Sequence, residues 1–395
     1  MNMEKHVTAK NKKVSSYIHD DLRLSILSNL SLKTLKRFEC VCKSWILLLE
    51  NPNFVSLFRK SFLSNNRSYY DDWSILLHQD VTYDKSVMYS VSGERFENRA
   101  KLDWPNPFQE ADPEFKISGS SSINGFFCLI NNSLPDTRVV LWNPTTEELK
   151  IVPRSPIEFI PYIDYSAVQY GFGYDYIGDD YKVIRCVLCF PKRGIFDDSV
   201  FFNPLWDIYS LKNNSWEQHE FDIPINYEED EVSIKGVIYW YGENESSDDE
   251  DDKDDEAYIF SFDLSCEKFV ITPLPLTDAS FDLDYVCRCL MVLNGSIALI
   301  SNYTNIHTFH VAILGEIGVK ESWFKLFIVP HLPCIRYPIG TGKSGEIFFI
   351  KEDGKLVYYD LSTRMMEEFS FQGDRFRGKI ITYKENPIPI EEINE

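Results

Sequence analysis

The sequence predicts an α+β chain in two parts: a small N-terminal α-helical module, then a larger, mainly β, propeller-like domain of about six blades. Three observations predict it. Apolar residues between 18 and 62 recur at helical spacing, whereas beyond residue 70 they alternate as strands do. A unit of short strands returns roughly every 50 residues. Aromatic residues make up 15% of the chain, a content that suits strands better than helices.

Composition bounds the rest. The 395 residues are 44% hydrophobic, and 40 Lys and Arg stand against 61 Asp and Glu, a net charge of −21. Among the longest apolar runs is Trp45-Ile46-Leu47-Leu48-Leu49, far short of the ~20 residues of a membrane-crossing helix. Met1 to Lys13 is polar and lacks the apolar segment of a signal peptide, so the chain is expected in the cytosol or nucleus. Its nine cysteines are then expected as reduced thiols. Nucleic-acid affinity comes mostly from Lys and Arg displacing counterions, so a chain this acidic is expected to bind neither nucleic acid nor membrane.

After a tail over residues 1–16, the helical module takes residues 17–62. Leu22, Ile26, Leu27 and Leu30 follow i, i+4, i+5, i+8, and Asp20 and Asp21 stand where carboxylates favour a helix N-terminus. Ser31 is placed to cap a second helix whose Leu32, Leu35, Phe38 and Val41 share one stripe. Trp45 to Leu49 can form a third. Asn51-Pro52 opens a fourth, with a capping side chain before a proline at the first helical position and Phe54, Leu57, Phe58 and Phe62 following. A module this small buries little surface by itself, so its apolar stripe invites a partner.

Asp20-Asp21-Leu22, Ile26-Leu27, Leu35, Phe38 and Cys40-Val41-Cys42-Lys43-Ser44-Trp45 resemble the F-box, the motif that docks on the Skp adaptor of cullin-based ubiquitin ligases. Ile18-His19 and Leu30-Ser31 stand where that motif carries Leu-Pro pairs, so both prolines are replaced. The resemblance implies an adaptor-binding set of Ile18, Leu22, Ile26, Leu27, Leu32 and Leu35, with Phe38, Val41 and Trp45 in the module's own core.

From residue 70 to 385 the strand unit recurs. Its opening strands are read at Asn124-Gly125-Phe126, Gly236-Val237-Ile238, Asn294-Gly295-Ser296 and Gly345-Glu346-Ile347, with a further unit at Asp180-Tyr181-Lys182-Val183. Hairpins follow at Val140 to Pro144, Trp206 to Trp216, Ile259 to Phe269 and Val357 to Phe369, with Asn, Asp and Ser at their turns. Residues 70–118 have the length for a sixth unit. Such repetition is the mark of propeller blades, each of which covers its faces with its neighbours. Residues 243–256 hold ten acids and one Lys and are expected as an inserted, protruding loop, and residues 386–395 as a tail. Trp142-Asn143-Pro144, Gly171-Phe172-Gly173-Tyr174-Asp175, Asp180-Tyr181-Lys182-Val183 and Ser322-Trp323-Phe324-Lys325 make this region similar to the plant F-box-associated interaction domain.

Candidate chemical motifs are incomplete. Cys186-x-x-Cys189 and Cys287-x-Cys289 lie far apart in strand-like segments and lack His at ligand spacing, so they read as buried hydrophobes rather than zinc ligands. His307 and His310 are two residues too close for a helical zinc pair. Gly340-Thr341-Gly342-Lys343-Ser344 resembles the end of a phosphate loop, but Tyr337 stands where its first glycine belongs. The expected function is therefore non-catalytic: a substrate receptor of a Skp–cullin–F-box ubiquitin ligase, without metal or cofactor. Its expected partners are the Skp adaptor, cullin through it, and a protein target of basic character. The alternatives are a stand-alone interaction propeller and a propeller glycoside hydrolase with two carboxylates across its channel.

Overall fold

The computed structural model describes residues 20–30, 32–39, 47, 51–65, 73–80, 86–93, 96–105, 115–131, 137–159, 163–191, 204–221, 223, 231–243, 257–274, 286–303, 308–330, 332, 334–343, 345–368 and 378–386. The chain divides into two compact units, Met1–Ser61 and Phe62–Glu395.

In the first unit, α1 (Asp20–Leu27), α2 (Leu32–Glu39) and α3 (Pro52–Asn65) follow the predicted periodicity. Asn51 caps α3 as its sequence requires: its Oδ1 accepts from the backbone N–H of Asn53 at 2.9 Å and of Phe54 at 3.4 Å. Ser61 Oγ, near the far end of α3, donates to Asn29 Oδ1 at 2.9 Å and ties that helix to the turn closing α1. The expected third helix, the Ser31 cap, Val41 and Trp45 lie outside the described residues, apart from Leu47.

The second unit is built of β1 (Trp73–Asp80), β2 (Ser86–Ser92), β3 (Asn98–Leu102), β4 (Lys116–Ile123), β5 (Phe126–Asn131), β6 (Arg138–Asn143), β7 (Glu148–Ile151), β8 (Ile163–Asp175), β9 (Asp180–Pro191), β10 (Leu205–Ser210), β11 (Ser215–His219) and β12 (Glu231–Ile234). It continues with β13 (Val237–Glu243), β14 (Ala257–Asp263), β15 (Lys268–Pro273), β16 (Val286–Leu293), β17 (Ser296–Tyr303), β18 (Thr308–Ile313), β19 (Phe324–Val329), β20 (Ile335–Thr341), β21 (Glu346–Lys351), β22 (Leu356–Asp360), β23 (Met365–Glu368) and β24 (Gly378–Lys384). Four antiparallel sheets of four consecutive strands each run from β8 to β23. The remaining sheet has the order β3-β2-β1-β24-β4-β5-β6-β7 and is two such units joined by the parallel contact of Thr382 with Ser121. Six blades result. The C-terminal β24 is the innermost strand of the blade that β1, β2 and β3 begin, with Leu76 opposite Ile381, so the two ends of the domain close one ring. The innermost strands β4, β8, β12, β16, β20 and β24 neighbour one another in a closed cycle.

The blade count agrees with the sequence reading, but the strand order within a blade corrects it. Residues read as opening strands form β5, β13, β17 and β21, and the Asp180 unit forms β9; each is the second strand of its blade. The innermost strands were missed because they are short on large apolar residues: β4 contains Ser118, Gly119, Ser120, Ser121 and Ser122. The Gly pairs mark the tight turns from first to second strand. Asn124 and Gly125 have φ of 49° and 87°, and Asn294 and Gly295 have 47° and 68°, the left-handed pair a two-residue hairpin turn needs.

Aromatic side chains fill the wedges between blades. Ile184, Cys186 and Trp206 of one blade pack with Ile238, Trp240, Phe260 and Phe262 of the next. Trp240 Nε1 donates to the Tyr170 carbonyl at 2.8 Å, so the buried indole keeps its hydrogen bond.

Candidate functional site

The module's apolar stripe is divided by the structure. Leu22 and Ile26, four residues apart on one face of α1, are 61% and 58% exposed. Leu27 and Leu35 are buried, at 5% and 2%, together with Phe54 and Phe58. This corrects the expectation that all of them face a partner. Leu27 follows Ile26 by one residue, about 100° around the helix, which turns it from the outer face to the inner one. Phe38 is half-buried, and Ile18 and the side chain of Leu32 lie outside the described residues. The exposed pair is the unpartnered apolar surface that the sequence predicts, reduced to the residues free to meet something.

In the propeller, connections alternate between the two ends of the strands. At one end, tight turns join first to second and third to fourth strands. Asx-type bonds hold the four-residue ones: Asp175 Oδ1 accepts from Ile177 and Gly178 N–H, Asp263 Oδ1 from Ser265 and Cys266, and Asp360 Oδ1 from Ser362 and Thr363. The same end carries bonds between blades. Lys182 Nζ donates to the Leu264 carbonyl at 2.8 Å and to Glu267 Oε1 at 2.7 Å, and lies 3.1 Å from Asp175 Oδ2. At the opposite end lie all connectors longer than ten residues: 103–115, 152–162, 192–204, 220–230, 244–256 and 274–285. The chain enters the ring at the tight-turn end, where Trp73 pairs with Lys384.

The acidic run 244–256 lies outside the described residues. Its flanks Glu243 and Ala257 pair across the β13–β14 ladder, so it joins the second and third strands of its blade. At the centre of the ring, Ser118 Oγ on β4 donates to Glu231 Oε1 on β12 at 2.5 Å, linking the innermost strands of two blades that are not adjacent.

The other sequence candidates are dispersed. Cys186 and Cys189 are buried in two different clusters, and burial pushes the Cys186 thiol up to about 12. Cys287 is exposed and Cys289 half-buried on β16. Among the described residues no group of three or more His, Cys, Asp or Glu side chains is placed to hold a metal ion. Thr341 ends a strand, and β21 rather than a helix follows Gly345, so the phosphate-loop resemblance is a turn. His310 lies on β18, and His307 is outside the described residues.

Sequence reasoning missed the buried ion cluster beneath residues 152–159. Arg185, 1% exposed, sets Nη2 2.8 Å from Glu158 Oε1 and 3.0 Å from Asp207 Oδ2, with its guanidinium 4.6 Å from the centre of the Trp216 ring. Its signal was a lone Arg inside the apolar run Val183-Ile184-Arg185-Cys186-Val187. A charge there has to find buried carboxylates.

A helical docking module on a ring of interaction loops defines a two-part binding protein. Residues 16–57 match the F-box domain and residues 75–385 the F-box associated beta propeller domain. The chain belongs to the family of F-box proteins that carry this propeller domain. It is similar to three proteins of Arabidopsis thaliana. Putative F-box protein At3g21120 is 28% identical over 86% of this chain and 94% of its own length. F-box protein CPR1 is 26% identical over 88% and 82%. Putative F-box protein At3g16210 is 27% identical over 67% of this chain, which spans 62% of that protein's length. Among solved structures, TolB from Acinetobacter baumannii matches with a TM-score of 0.46 and 10% identity, over 83% of this chain and 72% of that one.

Proposed function

We propose that this chain is the substrate-recognition subunit of a Skp–cullin–F-box ubiquitin ligase. It docks the Skp adaptor through Leu22 and Ile26 and a target protein through the propeller. The observation that carries the reading is the pair of exposed apolar side chains on α1, in a segment that matches the F-box domain. A leucine left in water forgoes roughly 1.5–3 kcal/mol of burial, which an adaptor surface supplies. Through the adaptor, cullin brings a ubiquitin-loaded enzyme to the target. The chain's contribution is proximity: it raises the effective concentration of one reactant near the other, and none of its own side chains makes or breaks a bond. The reading entails a cytosolic or nuclear protein.

The test is co-purification of residues 1–395 with a Skp adaptor, beside Leu22→Asp and Ile26→Asp. Stoichiometric binding by the natural chain, weakened by about a hundredfold or more in each variant, is the expected outcome. An unmodified chain that fails to bind would mean that His19 and Ser31, which replace the two prolines of the motif, have cost the module its partner. That result would favour the stand-alone interaction propeller.

A further inference from the structure

We infer that the long-connector end of the propeller is a docking face for a basic protein segment, attracted by the charge of that end and anchored on Phe159. The inference deepens the receptor reading and rests on it only in taking the propeller as the target-binding part.

The twelve connectors at this end, from 81–85 between β1 and β2 to 369–377 between β23 and β24, contain 29 acidic and 8 basic residues, net −21. The eleven at the tight-turn end contain 7 and 6, net −1. Everything outside the first set holds 32 acids and 32 bases. The two sets alternate along the chain, so no stretch of sequence displays the division; the antiparallel path of the strands sorts the charges. Nor is it the work of one segment. Without 244–256, which contributes −8, the remaining connectors of this end still carry −13. Described and exposed among their acids, or beside them, are Asp103, Asp164, Glu220, Glu352 and Asp353.

Phe159 is the second, independent observation. It is 65% exposed at the end of the short 3-10 turn Pro156–Phe159, between β7 and β8. The turn has a fixed base: Ile157 is buried, and the Glu158 carboxylate, 1% exposed, pairs with Arg185 and Arg154, each at 2.8 Å. A large apolar ring held out on a rigid support is a preordered anchor, since little entropy remains to be lost when a partner covers it. Its face already accepts a guanidinium, with Arg154 5.1 Å from the ring centre, the chemistry a Lys- or Arg-bearing segment would repeat. Charge decides the occupant. A nucleic acid or a second copy of this chain would be repelled, and a basic segment drawn in.

The probe is a synthetic peptide rich in Lys, Arg and Tyr, beside its counterpart with Glu at every basic position, titrated onto the full chain at low and at raised salt. The basic peptide alone should bind, and about tenfold more weakly when the salt rises from ~50 to ~300 mM. Replacing the nine acids of 244–256 by Asn or Gln should cost about tenfold at low salt and flatten the salt dependence. Asp103→Asn, Asp164→Asn, Glu220→Gln and Glu352→Gln together should cost about threefold. Glu97→Gln, Glu147→Gln, Asp179→Asn and Glu321→Gln, at the tight-turn end, should change affinity by less than about twofold. Phe159→Ala should weaken binding about fivefold or more at both salt concentrations alike. Equal effects of the two quadruple variants, binding of the acidic peptide, or an unchanged Phe159→Ala variant would overturn the proposal. Adaptor co-purification on the same preparations separates the two readings: adaptor bound without peptide refutes this inference alone, and peptide bound without adaptor counts against the ligase reading alone.

Discussion

The helical module and the propeller treat their apolar side chains in opposite ways. In α1, Leu22 and Ile26 stand more than half in solvent. In β5 every residue from Phe126 to Asn131 is buried, and β14 is buried from Ala257 to Phe262. The module has one layer of helices and too few residues to cover its outer face. A blade has neighbours on both sides, so both faces of its second and third strands are covered and their sequence reads as a continuous apolar run. The difference teaches where each unit can meet a partner: the module through apolar surface it leaves bare, the propeller through its connectors.

The comparison breaks most severely at Arg185. Arg185→Ala would leave Glu158 and Asp207 as buried, uncompensated carboxylates, with an expected loss of about 3–5 kcal/mol in propeller stability, read by urea unfolding. A loss under about 1 kcal/mol would mean the cluster is solvated and the blades are less closed than described.

A second contrast lies within the module. Leu35→Ala empties a buried site and should destabilise the module by about 2–5 kcal/mol, while Leu22→Ala, already in solvent, should change stability by under about 0.5 kcal/mol. Thermal unfolding of the two variants measures this, and similar losses would contradict the division of the stripe.

The smallest effect at neutral pH is that of His78. Burial, and after it the charges of Lys379 and Lys116, lower its pKa from 6.5 to about 3. Its folded value is depressed, so the unfolded chain binds the proton more readily and propeller stability falls as pH drops from about 6.5 towards 3. His78→Gln should show a shallower loss over that window and no change in pH dependence above it. Parallel acid-unfolding curves would reject the assignment.

Much of the fold was legible in the residues. Asn51-Pro52 announced α3, the Asn-Gly pairs announced hairpin turns, and repetition announced blades, because each depends on local backbone preference. The innermost strands were not legible. β4 and its counterparts face the crowded axis, where small and polar residues fit, so they lack the apolar alternation by which strands are read.

What the sequence by itself determined is therefore local and periodic: helices, hairpins, the repeat, and the two motifs that place the chain in its family. The tertiary structure decided what depends on distant neighbours. It separated Leu22 and Ile26 from Leu27 and Leu35, since periodicity shows that a side chain is apolar without showing what covers it. It brought Glu158, Arg185 and Asp207 together, and it closed the ring by pairing β24 with β1 across some three hundred residues. It also gathered onto one end charges that the chain scatters, because an antiparallel path returns every second connector to the same side.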